Sequence, residues 1–173
     1  AHWDIEGMAR LRAQVKTPIY ADESAQELYN LKEIIDRRAA DGLFIKLQKV
    51  GGLVKAQRWL TMARLAGLPV HCGCMIGSGL EHSPAAHLWV ANEWASQGLN
   101  ESIGPLLIHG TMESKNIKVG TDIALNIPKF ENGICYPNEG PGYGIELNEA
   151  FLISNKTVGV EGRVVEVGSE VAA

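Results

Sequence analysis

At 173 residues, with 46% hydrophobic and 21% charged side chains, the chain is long enough for one sizeable core and too apolar for a disordered segment. A net charge of -4 without any basic run lacks the electrostatic footprint of a nucleic-acid binder. Three cysteines cannot close a disulfide framework, no apolar run approaches the ~20 residues of a membrane span, and Ala1 begins no signal-peptide pattern, so a cytoplasmic protein without membrane or nucleic-acid partner is expected.

Along residues 4–15, Ile5, Met8, Leu11 and Val15 recur at helical spacing behind Asp4, a good N-cap, which predicts an amphipathic helix. Thr17-Pro18 breaks it. Residues 19–21 then read as a short apolar strand, and "SAQE" at 24–27 has the form of a capping box ahead of Leu28, Leu31, Ile34 and Ile35. The same unit recurs: "GLFIKL" at 42–47 is a strand, Gly51-Gly52 a turn, and 53–66 a helix offering Val54, Ala56, Trp59, Leu60 and Ala63 for burial. Gly67 stands where a helix C-cap glycine belongs. A third round runs through "LPVHCGC" at 68–74, a glycine-rich turn to Gly79 and a helix from about 84 to 94, with "PLLIHG" at 105–110 as a weaker fourth strand.

Strands alternating with helices of this length predict βαβ units and a parallel sheet covered on both faces. Beyond Gly110 the pattern changes. Residues 116–147 are short apolar runs broken by Gly, Pro and Asn, and "TVGVEGRVVEV" at 157–167 has the look of a hairpin. The expected organisation is an α/β unit over 1–110 and an irregular, β-rich tail over 111–173.

In a parallel α/β sheet the active site lies at the carboxyl ends of the strands. Asp22-Glu23 ends one predicted strand and Lys46 ends the next, so opposite charges meet on one rim. A hard cation such as Mg²⁺ takes carboxylate oxygens but needs more than Asp22 alone. A lysine beside such a cation is pushed towards its neutral form and becomes a base near neutral pH. The metal stabilises the enediolate formed when a proton leaves the carbon next to a carboxylate. Two plainer readings stand beside this one: a structural Asp22–Lys46 ion pair, or an Asp22 that only faces the helix N-terminus capped by Ser24.

"PIYADES", "IKLQKVGGLVKAQRWLTMARLAGLPV", "GLEHSPAAHL" and "GPGYGIEL" occur in this order, and with them the chain resembles the C-terminal half of the enolase superfamily. Within it the likeness is to the muconate-lactonizing subgroup of the mandelate racemase/muconate lactonizing enzyme family. The resemblance implies the C-terminal half, strands five to eight, of a (β/α)8-type TIM barrel, with a β-rich tail returning to a capping domain. It also implies Mg²⁺ or Mn²⁺ and abstraction of a proton α to a carboxylate. By that likeness Asp22 matches a metal ligand after the fifth strand and Glu23 its neighbouring orienter. Lys46 matches the acid/base lysine of the sixth strand, and Glu81 a glutamate after the seventh that faces the site. "GPGYG" at 140–144 matches the segment returning to the cap. Lys49 is read as a solvated loop lysine, since Lys46 lies within the predicted strand.

The likeness is incomplete in one respect: in the family two further carboxylates and a second lysine come from earlier strands, and nothing before Asp22 can supply them. The expected partners are therefore an N-terminal half of the barrel with its capping domain, a small carboxylate substrate, and further copies in a homo-oligomer. The chain alone is expected to be inactive, with open sheet edges. The expected activity is that of a racemase, epimerase or cycloisomerase, with a dehydratase open because elimination uses the same parts; the competing class is a non-catalytic half-barrel module. "HCGC" at 71–74 is not read as a zinc site, because alternate strand positions face opposite ways. His82 and His87 are read as a loop and a helix-face histidine, and Trp59, Trp89 and Trp94 as packing residues.

Overall fold

A computed structural model describes residues 1–101, 104 and 122–154. Helix α1 (Ile5–Gln14) starts where expected, because Asp4 accepts a hydrogen bond from the Gly7 N–H at 2.7 Å. Strands β1 (Tyr20–Ala21), β2 (Gly42–Ile45) and β3 (Val70–Cys72) form one parallel sheet in the order β1-β2-β3. In its register Ala21 pairs with Leu43 and Phe44 with His71. Helix α2 (Leu28–Asp36) links β1 to β2, and the four-residue α3 (Leu47–Val50) and α4 (Leu53–Leu65) link β2 to β3. Helices α5 (Gly79–Val90) and α6 (Glu93–Ser96) follow. A bridge from Cys72 to Asn100 carries the parallel pairing one position past β3.

The period-2 rule of strands sorts the sheet into two faces. Ala21, Leu43, Ile45, Val70 and Cys72 are buried in one core with Leu31 and Ile34 of α2, Ala56, Trp59, Leu60 and Ala63 of α4, and Leu88 and Trp89 of α5. Trp59 also donates its ring N–H to the Ala25 carbonyl at 2.9 Å, which ties α4 to the turn after β1. The opposite face carries a ladder of rings. Tyr20 stacks on His71 at 4.6 Å between centroids, and Phe44 meets His71 edge-on at 5.3 Å.

Several local expectations shift. The capping box of α2 is built from Glu27 and Asn30 rather than from Ser24 and Glu27, and residues 23–25 instead form a 3-10 turn. Val54 stays 74% exposed, so α4 buries a narrower stripe than its composition offers. Strand β2 ends at Ile45, and Lys46 lies one residue beyond it at the N-cap position of α3. Gly51 (φ +83°) and Gly52 (φ +99°) make the turn into α4 in backbone conformations that a side chain would strain. Helix α5 starts at Gly79 and holds Pro84 in its interior, so His82 is a fully buried helical residue and not a loop histidine.

In the tail, β4 (Lys129–Glu131) and β5 (Ile134–Tyr136) form an antiparallel hairpin, followed by α7 (Glu149–Ser154). Asn132 and Gly133, at φ +50° and +78°, make the two-residue turn that such hairpins favour. The strand at 105–110, the boundary at Gly110 and the hairpin at 157–167 lie outside the described residues. Among the described residues no helix is long and apolar enough to cross a membrane.

Candidate active site

Asp22 follows β1 and Lys46 follows β2, so both stand at the carboxyl ends of neighbouring parallel strands; the register, Ala21 against Leu43, leaves Lys46 two positions further along, and its side chain spans the gap. Lys46 Nζ lies 2.7 Å from Asp22 Oδ2 and 3.0 Å from Glu23 Oε1. The other Asp22 oxygen, Oδ1, accepts from Lys49 Nζ at 2.6 Å. Lys49 also donates to the Phe44 carbonyl at 2.7 Å. Its side chain is only 4% exposed, which corrects the expectation of a solvated loop lysine. Helix α3 does this: its first turn follows the strand at once, and a lysine on it folds back under the β2 terminus. The spacing of Lys46 and Lys49, three apart on a helix start, was the available signal.

Asp22 makes no side-chain cap to the 3-10 turn that follows it, and the Ser24 hydroxyl meets Met8 Sδ at 3.8 Å instead. A helix-facing role for Asp22 is thereby excluded, and an ion-paired one is what the geometry contains. The surface pairs Arg10–Glu6 and Arg37–Glu33 are exposed and contribute about 0.3–0.5 kcal/mol each. The pairs that hold Lys46 and Lys49 are part-buried and rest on two enclosed lysines, so they are screened less than these surface pairs and dominate the electrostatics of this rim.

The two lysines are shifted in opposite directions. For Lys46, burial favours the neutral amine, but hydrogen bonds and attraction from Asp22 and Glu23 outweigh it and raise the pKa. Lys49 is more deeply enclosed; burial outweighs its bond to Asp22 and lowers its pKa. Burial would raise Asp22, yet the hydrogen bonds and charges of Lys46 and Lys49 hold it below the usual carboxylate range.

Glu81 stands in the first turn of α5, 10% exposed, with Oε2 enclosed and without a donor. Burial pushes its pKa up, offset only in part by Gln48 and the backbone N–H groups of Met75 and Gly77. It borders a cleft of about 630 Å³ lined by Leu47, Leu53, Leu80, Tyr143 and Ile145. The 140–144 segment reaches this cleft because the Ser83 hydroxyl donates to the Tyr143 carbonyl at 2.5 Å. Next to Glu81, burial lowers His82 to a pKa of about 4, so it is neutral at physiological pH. Asp122, which the sequence did not single out, anchors this region: its carboxylate accepts from the Gly79 N–H and the Ala124 N–H, both at 2.9 Å.

Among the described residues no three His, Cys, Asp or Glu side chains converge as a metal site. The donors present fit a hard cation as a contributing part: Asp22 offers carboxylate oxygens at an open rim, and each already attracts a positive charge.

Residues 1–151 match the family described as enolase C-terminal domain-like. The chain is 30% identical over 151 residues to chloromuconate cycloisomerase of Cupriavidus pinatubonensis, covering 86% of this chain and 37% of that protein. It is 31% identical over 149 residues to the N-succinyl-L-Arg/Lys racemase of Bacillus cereus, covering 86% and 36%. Among solved structures, a mandelate racemase/muconate lactonizing family protein from Azoarcus sp. EbN1 is similar, with 64% identity and a TM-score of 0.80 over 89% of this chain and 40% of that one. The α/β fold thus resembles the barrel domain of these enzymes, and the chain spans little more than a third of the curated relatives' length.

Proposed function

We propose that this chain, which belongs to the enolase C-terminal domain-like family, carries the proton-transfer part of a divalent-metal-dependent isomerase. The reaction is racemisation, epimerisation or cycloisomerisation, with a proton removed from or added to the carbon α to a carboxylate by way of an enediolate. The observation that carries the reading is Lys46. Its Nζ lies 2.7 Å from Asp22 at the carboxyl end of adjacent parallel strands, where a proton-transfer group and a carboxylate able to take a hard cation serve one substrate. The two curated relatives are named for a cycloisomerase and a racemase, and the compounds in those names share a carboxylate.

Asp22 would hold the metal and Glu23 would orient Asp22, with the remaining ligands coming from an N-terminal half of the barrel. Bound Mg²⁺ or Mn²⁺ would supply Lewis-acid stabilisation of the charge that develops on the substrate carboxylate. Lys46, paired with two carboxylates, holds its proton and is set to deliver it to one face of the enediolate. When the Asp22 charge is engaged elsewhere, Lys46 loses one of its two carboxylate partners, burial counts for more, and the amine gives up its proton more readily. Glu81, whose carboxyl burial makes easier to protonate than an ordinary glutamate, stands in the first turn of α5 beside the cleft, as a second candidate to hand a proton to the substrate.

The complete enzyme pairs this chain with the N-terminal half and a capping domain and assembles as a homo-oligomer; the chain alone is inactive. The test is α-proton exchange in D₂O by the full-length protein, followed by NMR with a panel of N-acylamino acids, dipeptides and muconate-type diacids. Exchange is expected with Mg²⁺ or Mn²⁺, lost on chelation and restored by adding the metal back. Exchange that persists after chelation would contradict the metal-dependent mechanism, and no exchange with any carboxylate would favour a non-catalytic module.

A further inference from the structure

We propose that Gly73 is a positioning residue for Lys46: the missing side chain at 73 is the slot in which the Lys46 stem lies, and it fixes where the ammonium group ends. The contact follows from the sheet register. Past the last residue of β3 the ladder continues for one more bond, from the Gly73 N–H to the Ile45 carbonyl at 3.0 Å. That bond holds Gly73 opposite the peptide linking Ile45 to Lys46. A Cβ placed on Gly73 would lie 2.8 Å from Lys46 Cγ, 2.9 Å from Cε and 3.4 Å from Cδ. The methylene chain therefore runs across the face of the glycine from its base almost to its tip.

The Lys46 stem is tethered at both ends. Lys46 is 8% exposed, and its Nζ is held by Asp22 and Glu23 at the far end, so a stem displaced by a methyl group must carry the ammonium with it. The backbone at Gly73 is not in the left-handed region, so alanine is conformationally permitted there and acts only through what it touches. The three nearest atoms it would touch all belong to Lys46.

This gives "HCGC" a part in the site without a metal. His71 joins the ring ladder and Cys72 the core, on opposite faces of β3, while Gly73 sets the lysine of the neighbouring strand. Displacement of a reacting group by about 1 Å can cost up to about 100-fold in rate. The effect on rate rests on the proton-transfer role proposed for Lys46; the packing contact does not.

A double-mutant cycle in the full-length protein tests both. Gly73→Ala is expected to lower Tm by about 2–4 °C when Lys46 is present. In a Lys46→Ala background, where the stem is gone, the same change is expected to leave Tm unmoved. For α-proton exchange, Gly73→Ala is expected to lower kcat roughly 10- to 100-fold with KM within about twofold of wild type. An equal loss of Tm in both backgrounds would mean that the glycine serves the strand and not Lys46, and would overturn the proposal, as would a kcat within about twofold of wild type. If Gly73→Ala folds only together with Lys46→Ala, the coupling is at its strongest; if neither folds, the proposal falls. Exchange that survives Lys46→Ala, or is absent from the wild type, sinks the proton-transfer reading while leaving the Tm cycle to decide the contact.

Discussion

Asp22 and Glu81 each follow the carboxyl end of a parallel strand, yet their surroundings drive them apart. Asp22 has an ammonium group within 2.7 Å of each oxygen and keeps its charge against burial. Glu81 pairs with no lysine or arginine among the described residues, lies against an apolar cleft, and is pushed towards its neutral form. One rim is a fixed negative charge that positive groups compete for; the other is a carboxyl group poised to donate. Two carboxyls whose surroundings shift them in opposite directions are suited to different roles.

The largest expected effect lies on the charged side. Asp22→Asn leaves two enclosed lysines without their main counter-charge and should lower unfolding stability by about 3 kcal/mol, read from the urea midpoint of the full-length protein. Glu81→Gln removes a charge that burial disfavours, so at neutral pH stability should hold or rise. Equal losses for the two variants would erase the contrast.

The next effect is in pH. His82 has a folded pKa of about 4 against about 6.5 unfolded, so it contributes stability that is fully present above pH 6.5 and is lost as pH falls towards 4, by roughly 3 kcal/mol. Glu81, with its raised folded pKa, works the other way and gains stability as it protonates in the folded state. Asp22, with its lowered folded pKa, gives up its share only below its unfolded value, near pH 3.8. A stability profile flat from pH 7 to 4.5 would remove His82 from this account.

A smaller effect separates the two lysines. Lys49→Met should cost about 2 kcal/mol, because Asp22 keeps Lys46 while the Phe44 carbonyl loses its donor. A loss below about 0.5 kcal/mol would make Lys49 no more than a surface lysine.

The same contrast marks what could be read beforehand. The rim of Asp22 and Lys46 is legible because neighbouring strands in a βα repeat bring their carboxyl ends to one edge of the sheet, where a lysine side chain reaches a carboxylate two register positions away. Lys49 escapes a strand-based reading because its burial depends on a helix starting at once after β2, for which its three-residue spacing from Lys46 is the local signal. The start of α5 was read five residues late at Pro84, usually a first-turn residue. Asp122, 43 positions away from Gly79, caps the true start, and such a tertiary cap leaves no local trace. The hairpin at Asn132-Gly133 carried a readable turn signal within a region taken as irregular. Glu81 was placed by family likeness, but its neutral-leaning state needs the cleft wall from Leu47, Leu80 and Tyr143.

The most direct test of the central claim is the Lys46→Ala variant of the full-length protein, measured for α-proton exchange in D₂O and for Mn²⁺ binding by EPR. Loss of exchange by about 10²- to 10⁴-fold with Mn²⁺ still bound is expected if Lys46 transfers the proton. Exchange at the wild-type rate would contradict that role and leave Lys46 as a structural ion pair with Asp22.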